Sequence, residues 1–242
     1  MKINLHINGI DHFLEILPGD SLLKALRGLG YHSVKFGDEQ GLTGSDTVLL
    51  DGRPINAGVY LAAQAEGHQI ATLEALGEHP DQGWKKTDGL HPLQQSFIET
   101  GAIQCGYCTP AQILAAKDLV ERQANPTEAE VRDALSGVLC RCTGYKKPVQ
   151  AVMRAAAVLR GEDVEPIDTP APIPAPTEWL PAPEDGAASA PFRGDHGIPQ
   201  VDTRTRVMPQ ITIAPQEEEL RIVGKPEPKV DAIKLAQGKP AF

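Results

Sequence analysis

FIETGAIQCGYCTPAQIL (residues 97–114) and LSGVLCRCTGYKKPVQAV (135–152) contain every cysteine of the chain: Cys105, Cys108, Cys140 and Cys142. The spacing is C-x2-C, a 31-residue gap, then C-x-C. Each pair lies just ahead of a predicted helix, the first before Thr109-Pro110 and the second before a helix around Val149. Helix N-termini carry unpaired N–H groups and partial positive charge, which lower a thiolate's pKa and stabilise an anionic centre. Arg141, Lys146 and Lys147 add positive potential nearby. Two such ends facing each other would hold four thiolates around one metal centre. Four thiolates suit tetrahedral zinc or an iron–sulfur cluster. Structural zinc usually takes two C-x2–4-C knuckles, so the C-x-C leans toward iron–sulfur, and spacing alone leaves both open.

Outward from the cysteines, residues 84–161 read as helical. Leu93 and Phe97 are four apart, and Thr109-Pro110 starts AQILAAKDLVERQ. Thr127 with Glu130 forms a capping box ahead of Val131 and Leu135. Val149, Val152, Met153 and Ala156 share a helix face that Gly161 ends. Four short helices predict a four-helix bundle. Residues 1–76 read differently. KINLHIN and IDHFLEI alternate on either side of Asn8-Gly9, a hairpin signature. SLLKALRGLG (21–30) reads as a helix capped by Asp20 or Ser21, and TVLLDG (47–52) and QIATLEAL (69–76) read as strands. A small sheet carrying a helix, followed by a helical domain, is an α+β plan.

From residue 163 the texture changes. Nine of the 21 prolines fall between Pro166 and Pro199, in phrases such as TPAPIPAPTEWLPAP. Residues 162–220 are expected to form an extended, Pro-rich linker or arm that lies on something else, with Trp179 and Phe192 as its candidate anchors. The 242 residues carry a net charge of −9, against a nucleic-acid surface, and no apolar run long enough to span a membrane. The N-terminus has no apolar signal-peptide core, so a cytoplasmic protein is expected, and a disulfide framework is excluded with it. Neither a G-x-G-x-x-G nor a Walker loop occurs, and the seven histidines show no ligand spacing and read as surface or turn residues.

The two cysteine stretches strongly resemble the helical [2Fe–2S] domain of the molybdenum hydroxylases, the family of xanthine dehydrogenase and aldehyde oxidoreductase. Ala111 departs from that pattern, standing where the family usually has glycine. The resemblance implies iron rather than zinc, with Cys105, Cys108, Cys140 and Cys142 as ligands of one [2Fe–2S] cluster. It further implies that Gln104 and Cys142 approach a molybdopterin (molybdenum cofactor) held by a large catalytic partner subunit, and that a further electron-accepting subunit can follow. The alternative is a zinc-stabilised docking module without a redox role.

The resemblance extends backwards. VKFGDEQGLTGSDTVLLDGRPINAGVYLAAQ (34–64) is similar to the cluster loop of the family's N-terminal ferredoxin-like domain. A C-x4-C-x2-C loop with a later fourth cysteine is needed there. Asp38, Thr43 and Asp46 stand at the three spacings and Gly58 at the fourth position. Hard oxygen ligands do not replace thiolates at iron–sulfur sites. The expectation is a β-grasp, ferredoxin-like domain (1–76) that has lost its cluster and keeps a solvated loop. VGKPEPKVDAIKLAQGKPAF (223–242) is similar to the opening of the family's molybdopterin-binding subunit, so 221–242 is expected to belong with that part.

Overall fold

The computed structural model describes residues 1–79, 84–85, 89–165, 167 and 229–239. The Pro-rich arm, with Trp179 and Phe192, falls almost wholly outside these residues. The N-terminal part is a five-stranded sheet in the order β2-β1-β5-β3-β4, built from β1 (Lys2–Ile7), β2 (Ile10–Glu15), β3 (Thr47–Leu50), β4 (Arg53–Asn56) and β5 (Gln69–Ala71). β1 and β5 run parallel and the other pairs antiparallel. Asn8 and Gly9 both take positive φ (54° and 84°), the turn that matches the twist of a two-residue hairpin. α1 (Leu22–Gly28) is capped by Ser21, whose hydroxyl accepts from the Lys24 amide. Its apolar face (Leu22, Leu23, Leu26) packs on Ile3, Leu5, Ile7 and Val48.

The expected strand over 69–76 ends at Ala71. Thr72 leaves the sheet for a single turn at Leu73–Ala75, because Leu73 and Leu76 are drawn into the helical core. That core is shared, with Leu49 of β3 lying in the same cluster as the helical residues. A short pair, β6 (Glu78–His79) and β7 (Trp84–Lys85), follows.

Four helices come next: α2 (Pro92–Glu99), α3 (Thr109–Arg122), α4 (Glu128–Ser136) and α5 (Lys146–Leu159). α2 packs most closely on α5, and α4 touches both α3 and α5. α4 starts with the Thr127/Glu130 capping box expected from sequence. α2 starts at His91, whose Nδ1 accepts from the Leu93 amide while the Gln94 side chain accepts from the His91 amide. Half-buried His91 is therefore a structural cap and not the surface residue its spacing suggested. Arg53 of β4 reaches across to Asp118 of α3 at 3.2 Å, and Arg122 closes on the same carboxylate at 2.7 Å.

A sixth helix, α6 (Ala232–Ala236), changes the expectation for the tail. Residues 229–239 pack on the helical part of the same chain. Ala232, Leu235 and Ala236 are buried in the core formed with α2 and α3, and the Gln94 amide nitrogen donates to the Ala236 carbonyl at 2.8 Å. Burial of three apolar side chains gives this five-residue helix a reason to stay that its length does not.

Candidate metal centre

Cys108 is the residue before α3, and Thr109-Pro110 opens that helix as the sequence predicts. Between Cys105 and Cys108 the chain reverses at Gly106 (φ 85°), and the Tyr107 amide donates to Cys105 Sγ at 3.5 Å. Gly106 is favoured for a second reason. A Cβ there would come within 2.6 Å of the Leu235 side chain of α6, which would have to shift to make room.

The second pair is held by a different device. Gly144 and Tyr145 both adopt positive φ (60° and 64°), which carries the Tyr145 ring back over the preceding residues. The Cys140 amide donates to Tyr145 Oη at 2.8 Å, and that hydroxyl donates to the Val138 carbonyl at 3.1 Å. Cys140 and Cys142 thus sit in a tight turn ahead of α5, outside its first turn, whereas the first pair adjoins its helix directly. Spacing alone could not show this, since the left-handed turn depends on Tyr145 finding both partners.

The two loops converge. Cys105 neighbours Cys142, and Cys108 neighbours Cys140. Cys105 and Cys142 are exposed, Cys108 is buried and Cys140 is intermediate. Burial pushes the Cys108 thiol far up, and the adjacent Cys140 sulfur adds to the effect. Burial also raises Cys105. At Cys140 burial pushes upward too, but the Thr143 hydroxyl and amide and the Cys142 amide outweigh it and bring the thiol below its ordinary value. A buried thiol of this kind becomes an anion only when a cation supplies the opposing charge.

Among the described residues no group of three or more His, Cys, Asp or Glu is placed to hold a single metal ion. The four thiols meet as two cross-loop pairs, a four-thiolate donor set that would suit an iron–sulfur cluster. Gln112, one turn after Cys108 on α3, has a buried amide nitrogen with no partner. A buried donor without an acceptor is costly, and this one stands one helical turn from Cys108. The donor set, the pairing and this orphan fit a two-iron cluster. Gln104, Arg141, Lys146 and Lys147 are exposed, and Gln104 and Arg141 adjoin the exposed sulfurs of Cys105 and Cys142. Sequence reasoning missed Gln112, Tyr145 and Leu235; the polar residue inside the otherwise apolar face of α3 was the one available signal.

Residues 36–43 are exposed or half-buried, as expected of a solvated loop, and the stretch is ordered by its own hydrogen bonds. Asp38 accepts hydrogen bonds from the amides of Gln40 (2.7 Å), Leu42 (3.0 Å) and Thr43 (2.8 Å) and from the Thr43 hydroxyl. These hold its carboxyl well below the usual carboxylate range, the Thr43 hydroxyl contributing most. Asp46 is fully buried, and one of its oxygens accepts from the Gly58 amide. The four positions read as lost ligand sites are joined by hydrogen bonds in two pairs, Asp38 with Thr43 and Asp46 with Gly58.

Residues 72–153 match the [2Fe–2S] binding domain family. The nicotinate dehydrogenase small FeS subunit of Eubacterium barkeri is 44% identical over 158 residues, covering 64% of this chain and 94% of that protein. A probable hypoxanthine oxidase (XdhD) of Escherichia coli K12 is 30% identical over 244 residues, which takes in all of this chain and 20% of that longer protein. Among solved structures, the aldehyde oxidoreductase from Desulfovibrio desulfuricans matches with a TM-score of 0.61 at 42% identity, over 66% of this chain and 17% of that one. The chain thus spans nearly all of the small subunit and about a fifth or less of the two longer relatives.

Proposed function

This chain belongs to the family of iron–sulfur subunits and domains of the molybdenum hydroxylases and dehydrogenases, and within it we propose that Cys105, Cys108, Cys140 and Cys142 hold one [2Fe–2S] cluster that serves a molybdopterin centre in a large partner subunit. The chain is the electron-transfer part of an oxidoreductase. When bound, the cluster supplies one-electron redox chemistry that relays electrons away from the molybdenum cofactor. The chain's own residues do the rest. Buried Cys108 and half-buried Cys140 anchor the inner side, and Cys105 and Cys142 anchor the outer side. Gln104 and Cys142 form the exposed edge that meets the partner's pterin. Tyr145 and Thr143 fix the Cys140 turn, and Gln112 offers a hydrogen bond from the α3 side.

In this reading the front domain keeps a β-grasp shape and carries no cluster, α2–α5 act as a four-helix bundle, and the Pro-rich arm docks the partner. Among the described residues no helix is long and apolar enough to cross a membrane, and the working site is the cytoplasm. A downstream electron acceptor takes electrons directly from the cluster.

The observation that carries the reading is the cross-loop pairing of four thiols. The test is metal and acid-labile sulfide analysis with EPR on the reduced full chain. About two irons and two sulfides per chain with a single EPR signal are expected. Serine at Cys108 or Cys140 removes the signal. About four irons or two distinct signals overturn the single-cluster claim, and zinc in place of iron overturns the redox reading altogether.

A further inference from the structure

The loop between α1 and β3 does more than close on itself. Its two ends touch, since a Cβ at Gly37 would overlap the side-chain oxygens of Ser45 and Thr43. Asp38 ties residues 40–43 together with the four hydrogen bonds described above. On the sheet side Asn56 Nδ2 donates to the Gly41 carbonyl and the Thr47 hydroxyl to the Gly44 carbonyl, and two further bonds from this tied loop reach the cysteine loops. The Phe36 carbonyl accepts from Tyr107 Oη at 2.7 Å, and Tyr107 lies between Cys105 and Cys108. The Thr43 carbonyl accepts from the Leu139 amide at 2.9 Å, and Leu139 directly precedes Cys140. Gly44 (φ 65°) makes the second contact feasible, because a Cβ there would overlap the Gly137 carbonyl oxygen. Lys35, at the start of the loop, sits with its ammonium 6.0 Å from the Tyr107 ring centre.

We propose that residues 36–44 are a clasp that sets the spacing of the two cysteine loops, with Asp38 as its positioning residue. The inference rests on the reading of the four cysteines as cluster ligands and adds a job for a loop with no cysteine of its own. Phe36 and Thr43 flank Asp38, and Thr43 is fixed by it through both amide and hydroxyl. The carboxylate therefore governs how far apart the two carbonyls lie. They in turn fix Tyr107 and Leu139, each next to a cysteine. A metal constellation needs its ligands held within about 0.5 Å by a second set of contacts, and these two bonds are such contacts. Other bonds join the sheet to the helices, such as Arg53 to Asp118, but these two each land next to a cysteine.

The test uses the full chain with its cluster as wild type, Tyr107→Phe, Asp38→Ala and Asp38→Asn. The readouts are iron and sulfide content, EPR line shape, midpoint potential, the rate of iron release to a chelator, and far-UV melting. Tyr107→Phe removes the hydroxyl that donates to the Phe36 carbonyl. It is expected to melt like wild type yet show a shifted or split EPR signal and iron release several-fold faster. Asp38→Ala goes further in the same direction, and Asp38→Asn, which keeps a carbonyl acceptor, falls between. If Asp38→Ala does not fold, Tyr107→Phe decides. Wild-type spectra, potential and release rates in iron-replete Tyr107→Phe and Asp38→Ala overturn the clasp while leaving the cysteine reading intact. Absence of iron and sulfide from wild type overturns the cysteine reading and the clasp together.

Discussion

Asp46 is enclosed by protein, with one oxygen on the Gly58 amide and the other without a partner. Burial is the main cause of its raised pKa, with the negative Asp38 nearby adding to it. A carboxyl raised above its ordinary 3.8 adds stability while protonated and loses that contribution as pH climbs through its folded pKa. At neutral pH the fold therefore carries an uncompensated buried carboxylate. Asp46→Asn keeps an oxygen for the Gly58 amide and removes the charge. The variant should be more stable than wild type near pH 7. Its advantage should shrink toward pH 4, as differential scanning calorimetry across that range would register. A variant less stable than wild type at pH 7 would contradict this account. The sequence shows Asp46 only as an oxygen at a cysteine's spacing; its burial follows from β3 and the Gly58 turn closing over it, a tertiary effect that no local pattern encodes.

At the level of elements, α4 and the hairpin were legible because their signals are local. The Thr127/Glu130 box and Asn8-Gly9 each act within four residues. The start of α2 was not, because histidine is an uncommon cap and His91 works only when its ring is half-buried and neutral. Burial lowers its pKa from 6.5 to about 4, with Lys117 of α3 pushing the same way and Glu121 opposing. A histidine depressed in the fold gives full stability above its unfolded pKa and loses it as pH falls toward the folded value. Between about pH 6.5 and 4 the wild type should lose about 2–3 kcal/mol from this group alone. His91→Asn, a cap that does not titrate, should lack that component. Parallel urea titrations at pH 7 and pH 4.5 check it, and equal losses in both proteins would show that His91 is not the sensor. The cysteine loops divide in the same way. Cys108 before Thr109-Pro110 is a local signal, whereas the Cys140 turn depends on Tyr145 reaching back to Val138.

Across the whole molecule, the described residues form one unit in which Met1–Ile167 and the terminal segment share contacts. The boundary expected near residue 76 is crossed by the core itself, through Leu49, Leu73 and Leu76. Composition marked the change of texture after residue 163 but could not reveal that a stretch beyond it returns. Leu235 is 2% exposed and rests on Gly106, and Gly238 approaches Ser33. Leu235→Ala should weaken that seat by about 2–4 kcal/mol. Amide exchange at residues 232–238 should then rise toward the rate of a free peptide, while α3 keeps its own protection. Exchange unchanged in the variant would mean the seat is held by something other than Leu235.

The returning segment also makes the polypeptide a ring, sealed at a seam where a five-residue plug meets a socket beside Cys105. A nick between 168 and 228 would leave that joint to the contacts of Ala232, Leu235 and Ala236 and to the Gln94 bond. Whether the severed piece then stays or diffuses away would measure the strength of the joint. A firm joint would keep the terminal segment seated at Gly106, and a loose one would uncover that glycine whenever the thread is cut.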